Sequence, residues 1–488
     1  MLAAIVRKEL KSILLSPKFP ATFGICSLLL LLSTWVGVRE YRAAAAQVAS
    51  ARQLVDQEQR EATSWADLGN RVFRDPDPLQ VFVAGVNNDI GRLSNVNSQE
   101  GIKLVHSVYS DDPIFAVFRF IDFAFIVQVV LSLLAVLFTY DAINGEREGG
   151  TLALTLSNAV PRAHYIGGKF LGVWLGLVVP LAVPVLLSVL MVMLSGIPFH
   201  TDAWLRFAVL VGTSLLYFTF FVLLGVLISA LTRRSNTSFL LSLVAWIALV
   251  LIIPRAGVMA AGQLIRVPTV AEVDGQVAAY SKDRWGQYLH RMEDRWRERN
   301  APMQGMNEAE RDAYRDQHQW QWLEEDDAGR KDVQRDIDGQ AARFAEDQRN
   351  RAGEQVRLGF MLSRFSPASS YQLAAMKLAG TDVSLKSQYE DAMQAYRRLF
   401  NEYRDKKIGE SGGGGGIRIT VDSERGFTFS APREAGMLDL GDMPRFAVPV
   451  FGPGDYVLPA LADCGLLAIA GLLALGGSVL AFMKSDVR

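Results

Sequence analysis

The sequence has little of the chemistry that metal and redox sites require. Among its 488 residues are two cysteines, Cys26 and Cys464; both fall inside apolar runs, so neither a disulfide framework nor a thiolate metal site is indicated. The five histidines are scattered without the spacing of metal ligands. No H-E-x-x-H signature of a metalloprotease is present. We therefore expect no metal site, no cofactor and no hydrolytic or redox catalysis in this chain.

A phosphate-binding loop is also missing. A Walker A loop needs G-x-x-x-x-G-K-[ST], because its backbone amides and lysine cradle the phosphates. The nearest candidate, Gly167-Gly168-Lys169-Phe170, lacks the leading glycine and the hydroxyl, and it begins an apolar run. The glycine run 412–416 has no lysine partner. The chain is therefore not expected to bind ATP in this way, and any ATP-driven work must draw on another polypeptide.

Apolar runs are what the sequence has in abundance. Half of the residues are hydrophobic (50%), and the polar residues are gathered into two blocks. Several runs approach the roughly 20 residues that cross a bilayer core of about 30 Å. The formal net charge of −1 gives no electrostatic reason to expect a nucleic-acid partner. The predicted fold class is an all-α membrane protein, surrounded by membrane lipid, with six transmembrane helices and a mostly helical external domain carrying a small β element.

The apolar runs and the polar blocks define the predicted domains. The spans are residues 19–38, 114–139, 166–231 (the third and fourth helices), 238–254 and 457–483. The other segments are a cytoplasmic amphipathic elbow helix at 1–18, an external segment at 39–113, a cytoplasmic segment at 140–165 and a large external helical domain at 255–456.

Lysine and arginine predict the orientation of the spans. They precede the first span, separate the second from the third and the fourth from the fifth, and follow the sixth. With six spans all of these segments lie on one side, whereas the short loop 195–202 on the other side has neither residue. The positive-inside rule then puts both termini in the cytoplasm of a bacterial inner membrane. The first apolar run of about 20 residues exceeds the core of a signal peptide, so it is predicted to be an uncleaved anchor.

The cytoplasmic segment 140–165 is short, charged and punctuated by glycine. It begins with Tyr140 to Leu152, YDAINGEREGGTL, and it is followed by basic residues at its end, Arg162, and just inside the next span, Lys169. Two interpretations stay open from the spacing alone: a solvated loop between spans, or a helix at the membrane surface offered to a cytoplasmic partner.

This segment resembles the cytoplasmic coupling segment of ABC type-2 exporter permeases. It is most similar to the subgroup that includes the permease of the nitrous-oxide reductase maturation system. A second similarity lies downstream, where Leu362 to Tyr371, LSRFSPASSY, and Leu378 to Thr381, LAGT, resemble a segment of that subgroup's external domain. Residues 2, 5, 6, 10, 13 and 14 form an apolar helical stripe, which agrees with the elbow helix of the family.

The resemblance implies a permease subunit that docks onto a separate ATPase. The implied ATPase contacts are Asp141, Gly145, Glu146, Arg147, Glu148, Gly149 and Thr151. The expected partners are two copies of a cytoplasmic ABC ATPase, which would bind ATP and magnesium, and a second permease copy or paralogue. A periplasmic partner of the external domain is a further candidate. The alternative function is a non-transporting membrane sensor or scaffold whose external domain relays shape changes to a cytoplasmic enzyme.

Polar residues inside the spans are few. Arg119, Asp122 and Gln128 are the candidate residues of a transport path, because ions inside a membrane are costly and often functional. Arg119 and Asp122 lie close to the interface, where pairing with each other or with water is the alternative. In the external domain, Trp285, Tyr288, Met292 and Trp296 share one helix face. That spacing predicts the seam of an antiparallel helical pair, with an aromatic ligand cage as the alternative.

Overall fold

The computed structural model describes residues 2–62, 65, 68, 70–86, 93–96, 121–157, 161–410, 418–422, 426–430, 438–449 and 451–484. The helices up to the fourth span are α1 (Leu2–Leu14), α2 (Lys18–Arg60), α3 (Phe123–Phe125), α4 (Ser132–Thr139), α5 (Asn144–Glu148), α6 (Thr151–Ser157), α7 (Arg162–Leu194) and α8 (Thr201–Leu231). The later helices are α9 (Ser235–Trp246), α10 (Ile253–Leu264), α11 (Val270–Asn300), α12 (Glu308–Ser363), α13 (Pro367–Ala379), α14 (Ser384–Glu410) and α15 (Pro453–Lys484).

Six helices within the described residues are long and apolar enough to cross a membrane. They are Lys18–Arg60, Phe123–Glu148, Arg162–Leu194, Thr201–Leu231, Ser235–Leu264 and Pro453–Lys484. The predicted number of spans and the all-α class are therefore confirmed. The second and fifth spans each contain a π-helical stretch, Ile126–Leu131 and Ile247–Ile252. The two spans are joined beside these stretches by a hydrogen bond of 2.8 Å from Trp246 Nε1 to Ser132 Oγ.

The four strands of the described residues are short and form two separate two-stranded sheets. Strand β1 (Asn70–Phe73) pairs antiparallel with β2 (Leu93–Val96), and β3 (Arg418–Asp422) pairs antiparallel with β4 (Gly426–Ser430). The second pair lies within the block 255–456, for which a small β element was predicted.

The described chain forms two compact units. The first contains residues 1–254 and 364–488, and therefore all of the spans' apolar cores; the second contains 255–363. The block 255–456, predicted as one external domain, thus contributes to both units. Its helix α13 is almost entirely buried in the first unit, where Tyr371 stacks on Tyr217 of α8 with ring centroids 4.7 Å apart. Gly380 ends this helix in the left-handed conformation, with φ +64°.

The second unit is built on the antiparallel packing of α11 against α12. Tyr288 is buried between the two helices with Val333 and Ile337, and Trp285 packs partly against this cluster. The seam predicted from the aromatic spacing is thus confirmed for Tyr288 and Trp285. It is wrong for Met292 and Trp296, which are 37% and 68% exposed.

An ionic contact replaces the aromatic seam toward the end of α11. Arg299 donates to both carboxylate oxygens of Asp326 on α12, at 2.9 and 3.2 Å. Arg295 approaches the same carboxylate at 3.4 Å. Helical spacing alone does not show that arginines occupy the last turns of the seam.

Candidate functional site

The short helices between the second and third spans meet a buried ion cluster. Lys169, near the start of α7, has a side chain that is 4% exposed. Its ammonium lies 2.8 Å from the Glu9 carboxylate of α1 and 2.9 Å from the Glu146 carboxylate of α5. A buried charge is stable only when it is paired and hydrogen-bonded, and Lys169 meets this requirement through two separate helices. One side chain therefore joins α1, α5 and α7.

Glu146 has two further partners. Tyr165, also on α7, donates its hydroxyl to Glu146 Oε2 at 2.5 Å. Lys8 of α1 forms an ion pair with Glu146 Oε1, but the Lys8 side chain is 58% exposed. An exposed pair contributes little to stability, so Lys169 and Tyr165 are the partners that fix Glu146.

A row of glycines lets α1 lie close against α7. Gly168, Gly172 and Gly176 are four residues apart and share one face of α7. A Cβ atom at Gly172 would lie 2.5 Å from Cβ of Glu9, and Cβ atoms at Gly168 and Gly176 would press on Ile5 and Ile13. The predicted apolar stripe of the first helix is thus seated on α7, with Glu9 inside the contact.

The other side of α5 is fastened to the turn between the fourth and fifth spans. The Ser229 hydroxyl accepts from the backbone N–H groups of Ile143 and Asn144, at 3.1 and 3.2 Å. Arg147 donates Nη1 to the Thr232 carbonyl at 3.0 Å, and the buried Asn144 amide bonds the Thr232 hydroxyl at 2.7 Å. These contacts join α5 to the end of α8 and to the turn that follows it.

Glu148 links α5 to the fifth span. Its carboxylate accepts from the backbone N–H of Ser235 at 2.9 Å and from the Ser235 hydroxyl at 2.8 Å. Ser235 is the first residue of α9, where N–H groups lack partners within the helix and an anion is favoured by the helix dipole. Glu148 therefore serves as a cap for α9 supplied from a distant part of the chain.

One face of α5 and α6 remains open to solvent. The exposed face is formed by Gly145, Gly149, Gly150, Thr151, Ala153 and Leu154. Its opposite side is anchored by Leu152, which is 2% exposed in a cluster with Ile143, Tyr165 and Ile166. Gly150 has φ +69°, which a side chain rarely tolerates, so it makes the turn between the two helices.

The sequence-predicted ATPase contacts fall into two groups in the structure. Gly145, Gly149 and Thr151 lie on the exposed face, and Asp141 is half-buried at the end of the second span. Glu146, Arg147 and Glu148 instead have partners within this chain. Contact of any of them with a second protein stays a prediction.

Of the candidate transport-path residues, Asp122 lies at the opposite end of the second span and Gln128 lies deeper within it. Asp122 accepts from the backbone N–H groups of Ala84 and Phe125, at 2.9 and 2.8 Å, so it holds the loop after β1 on the start of the span. Gln128 is 4% exposed inside the bundle. Arg119 lies outside the described residues. Participation of the three in transport stays a prediction.

Glu9 and Tyr165 of the ion cluster, and one ion elsewhere, were not singled out from the sequence, where Lys169 appeared only as part of a basic exit. Glu9 interrupts an apolar stripe, which is a signal that a charge faces the packed side of α1. Lys169 and Tyr165 lie at helical spacing near the start of an apolar run. Asp463, inside the sixth span, is fully buried between Arg364 and Lys377. Within the described residues, no group of three or more His, Cys, Asp or Glu side chains is arranged to hold a metal.

Comparison with known protein families gives a match over almost the whole chain. The sequence model of the family described as ABC-2 family transporter protein matches residues 3–487, which includes every span and both short helices of the site. No curated protein matches the sequence.

Proposed function

The chain belongs to the ABC-2 family of transporter proteins, and from this premise we propose that it is the permease subunit of an ATP-binding-cassette exporter driven by a separate ATPase. A multi-pass membrane protein of this family is a transport component. The feature that supports the proposal most directly is the pair α5–α6, which is fastened to α1, α7, α8 and α9 yet offers an exposed face. A loop that only reverses the chain needs no such attachment.

The exposed face is the proposed docking surface for the ATPase. A side chain at Gly145 would meet only Cβ of Asp141, at 3.7 Å, so the interior does not require glycine there. Glycine at Gly145 and Gly149 instead lets another protein surface approach the backbone closely. Asp141 and Thr151 border this surface.

The charged residues of the segment are proposed to transmit force. A push on α5 would reach α7 and α1 through Glu146 and Lys169. The same push would reach α8 and α9 through Arg147 and Glu148. Packed elements with two discrete arrangements carry such coupling, and ion pairs on separate helices make the movement concerted. Glu146, Arg147 and Glu148 would thus act by positioning α5 within the permease.

The complete transporter is proposed to contain two ATPase subunits and a second permease, either a copy of this chain or a paralogue. The ATPases would bind ATP and magnesium. The YDAINGEREGGTL and LSRFSPASSY segments favour the subgroup of the nitrous-oxide reductase maturation permease. We propose an inner-membrane location with both termini in the cytoplasm. The helical hairpin α11–α12 would then lie in the periplasm, available to a partner there.

Asp122, Gln128 and Arg119 are proposed to border the transport path. Gln128 supports this idea best, because it is a polar side chain buried in the π-helical stretch of the second span, and π-bulges are frequent at functional sites.

Purification of the complex tests the function. The chain would be extracted from native membranes in mild detergent through an affinity tag, and bound polypeptides would be identified by mass spectrometry. We expect an ABC ATPase at about one copy per permease, together with ATP hydrolysis that vanishes when the ATPase is washed off. A stable chain without any ATPase, but with another cytoplasmic enzyme, would replace the exporter with the sensor or scaffold.

A further inference from the structure

A second buried ion cluster lies in the sixth span, at the end of the bundle opposite Lys169. Asp463 of α15 is 0% exposed in its side chain. Arg364 donates Nε and Nη2 to its two carboxylate oxygens at 2.5 and 3.3 Å, and Lys377 of α13 donates to Oδ2 at 2.7 Å. Two cations therefore converge on one carboxylate.

The exposed atoms of this cluster belong to the cations alone. The Arg364 and Lys377 side chains are 31% and 19% exposed, whereas Asp463 is hidden beneath them. Lys377 also interacts electrostatically with Asp382. The hydrogen bond of the Asp382 carboxylate is made elsewhere, since it accepts from the Ser384 hydroxyl at 2.6 Å. The surface that meets the surroundings is therefore positive.

The depth of the cluster matches the headgroup region of a bilayer. Asp463 precedes Lys484 by 21 residues of continuous helix, which is about 32 Å at 1.5 Å per residue. A hydrocarbon core is about 30 Å thick. Lys484 lies at the basic end, because the carbonyl of the preceding Met483 accepts from Arg162 at 2.6 Å. When Lys484 is at one headgroup layer, Arg364 and Lys377 are at the other.

The surface around the cations is apolar. Phe365, beside Arg364, is 79% exposed, and on α15 Leu458, Leu461 and Leu466 are 67%, 52% and 41% exposed. Aromatic and basic side chains next to exposed leucines are typical of a protein face at the lipid–water boundary. A free inorganic anion would make no favourable contact with these apolar side chains, whereas the acyl chains of a lipid would pack against them.

We propose that Arg364 and Lys377 bind the phosphate of an anionic phospholipid in the leaflet opposite the basic end. Guanidinium and ammonium groups donate charge-assisted hydrogen bonds to phosphate oxygens, and Asp463 holds both groups in place. The lipid would thereby be anchored where α13 enters the bundle against α15. This site is independent of ATPase docking.

Lipid titration by native mass spectrometry tests the site. The purified, delipidated complex would be titrated with phosphatidylglycerol and, separately, with zwitterionic phosphatidylcholine. We expect phosphatidylglycerol to be retained preferentially, with affinity reduced about tenfold in Arg364→Gln and in Lys377→Gln, the loss of one charge-assisted bond. Each variant leaves Asp463 one cation, so the fold is kept. Arg364→Lys should retain binding, as should Lys406→Gln, an exposed lysine of α14.

Three results would overturn the proposal. Equal retention of the two lipids would show that the charge is not recognised. Unchanged affinity in Arg364→Gln and Lys377→Gln would put the lipid elsewhere. Displacement of phosphatidylglycerol by inorganic phosphate alone would show a site for a free anion.

Discussion

Lys169 and Glu146 form an ion pair of 2.9 Å that joins the third span to the short helix α5, and their side chains are only 4% and 11% exposed. Glu9 binds the same ammonium from the first helix. The contact lies directly behind the exposed face of α5 and α6. The exposed face is therefore connected to α1 and α7 by buried ion pairs, and not by a flexible loop.

Removal of the cation from this joint should destabilise the protein strongly. Lys169→Met leaves Glu9 and Glu146 buried and facing each other, and breaking a buried ion pair by removing one partner costs about 3–5 kcal/mol. The loss should appear as a lower melting temperature of the purified chain in detergent. Lys11→Met, on the exposed side of α1, is the matched control and should melt like the wild type.

Neutralising the two acids should reverse part of this loss. The triple variant Lys169→Met, Glu146→Gln and Glu9→Gln contains no unpaired buried charge, so it should melt above the single variant. A single Lys169→Met variant as stable as the wild type would show that the cluster does not hold α1, α5 and α7 together.

The glycine row of α7 provides a steric prediction. Gly172→Ala would bring a Cβ to 2.5 Å from Cβ of Glu9, an atom whose position is fixed by the backbone of α1 and which no rotamer change can move away. We expect a loss of about 1–3 kcal/mol, as for other overpacked contacts. Gly212→Ala in α8 meets nothing within 4 Å and should be neutral or slightly stabilising, because alanine favours the helix. Thermal unfolding of both variants side by side checks the prediction, and equal melting would contradict the tight α1–α7 contact.

The helical hairpin α11–α12 should depend on Tyr288 and not on Trp296. Tyr288 is 5% exposed and its hydroxyl donates to the Asp326 carbonyl at 3.0 Å. Tyr288→Ala should cost about 3–5 kcal/mol, as other large core truncations do. Trp296→Ala should change stability by less than about 0.5 kcal/mol, because the ring is exposed.

Hydrogen exchange of the full-length protein distinguishes the two variants. Faster exchange along α11 and α12 in Tyr288→Ala alone is the expected pattern. Equally fast hydrogen exchange in Trp296→Ala would show that Trp296 also packs in the contact between α11 and α12.

The spans could be predicted from the sequence for physical reasons. A bilayer imposes a length and a composition on each span, and both can be read directly along the chain. Glycine and charge between two spans, as at Gly145 to Gly150, are equally local signals. The sequence therefore predicted where α5 and α6 lie.

Pairing between distant residues was not predictable in the same way. Glu146 was expected to face a partner protein, but its partner Lys169 is fixed by the packing of α1 and α5 on α7. Asp463 looks like an isolated charge in an apolar run until α13 brings Lys377 beside it. Trp296 has the helical spacing expected of a residue in the seam. Spacing alone, however, does not show where along α11 the apolar packing gives way to ion pairs.

The predicted orientation of the six spans rests on the distribution of lysine and arginine. In a background with Cys26 and Cys464 replaced by alanine, Trp320→Cys and Ala153→Cys should react with a membrane-impermeant maleimide from opposite sides. Both positions are exposed, so failure to label cannot arise from burial. Labelling of both cysteines from the same side would contradict the six-span orientation.

The most direct test of the proposed function measures ATPase binding to the exposed face of α5 and α6. Ala153→Arg places a large cation on that face, whereas Ala345→Arg makes the same change at an exposed position of α12. Both permeases would be purified from membranes, and the ATPase retained on each would be quantified. We predict that Ala153→Arg loses most of its ATPase while remaining folded, and that Ala345→Arg retains the wild-type amount. Undiminished ATPase on a folded Ala153→Arg chain would contradict docking at this surface.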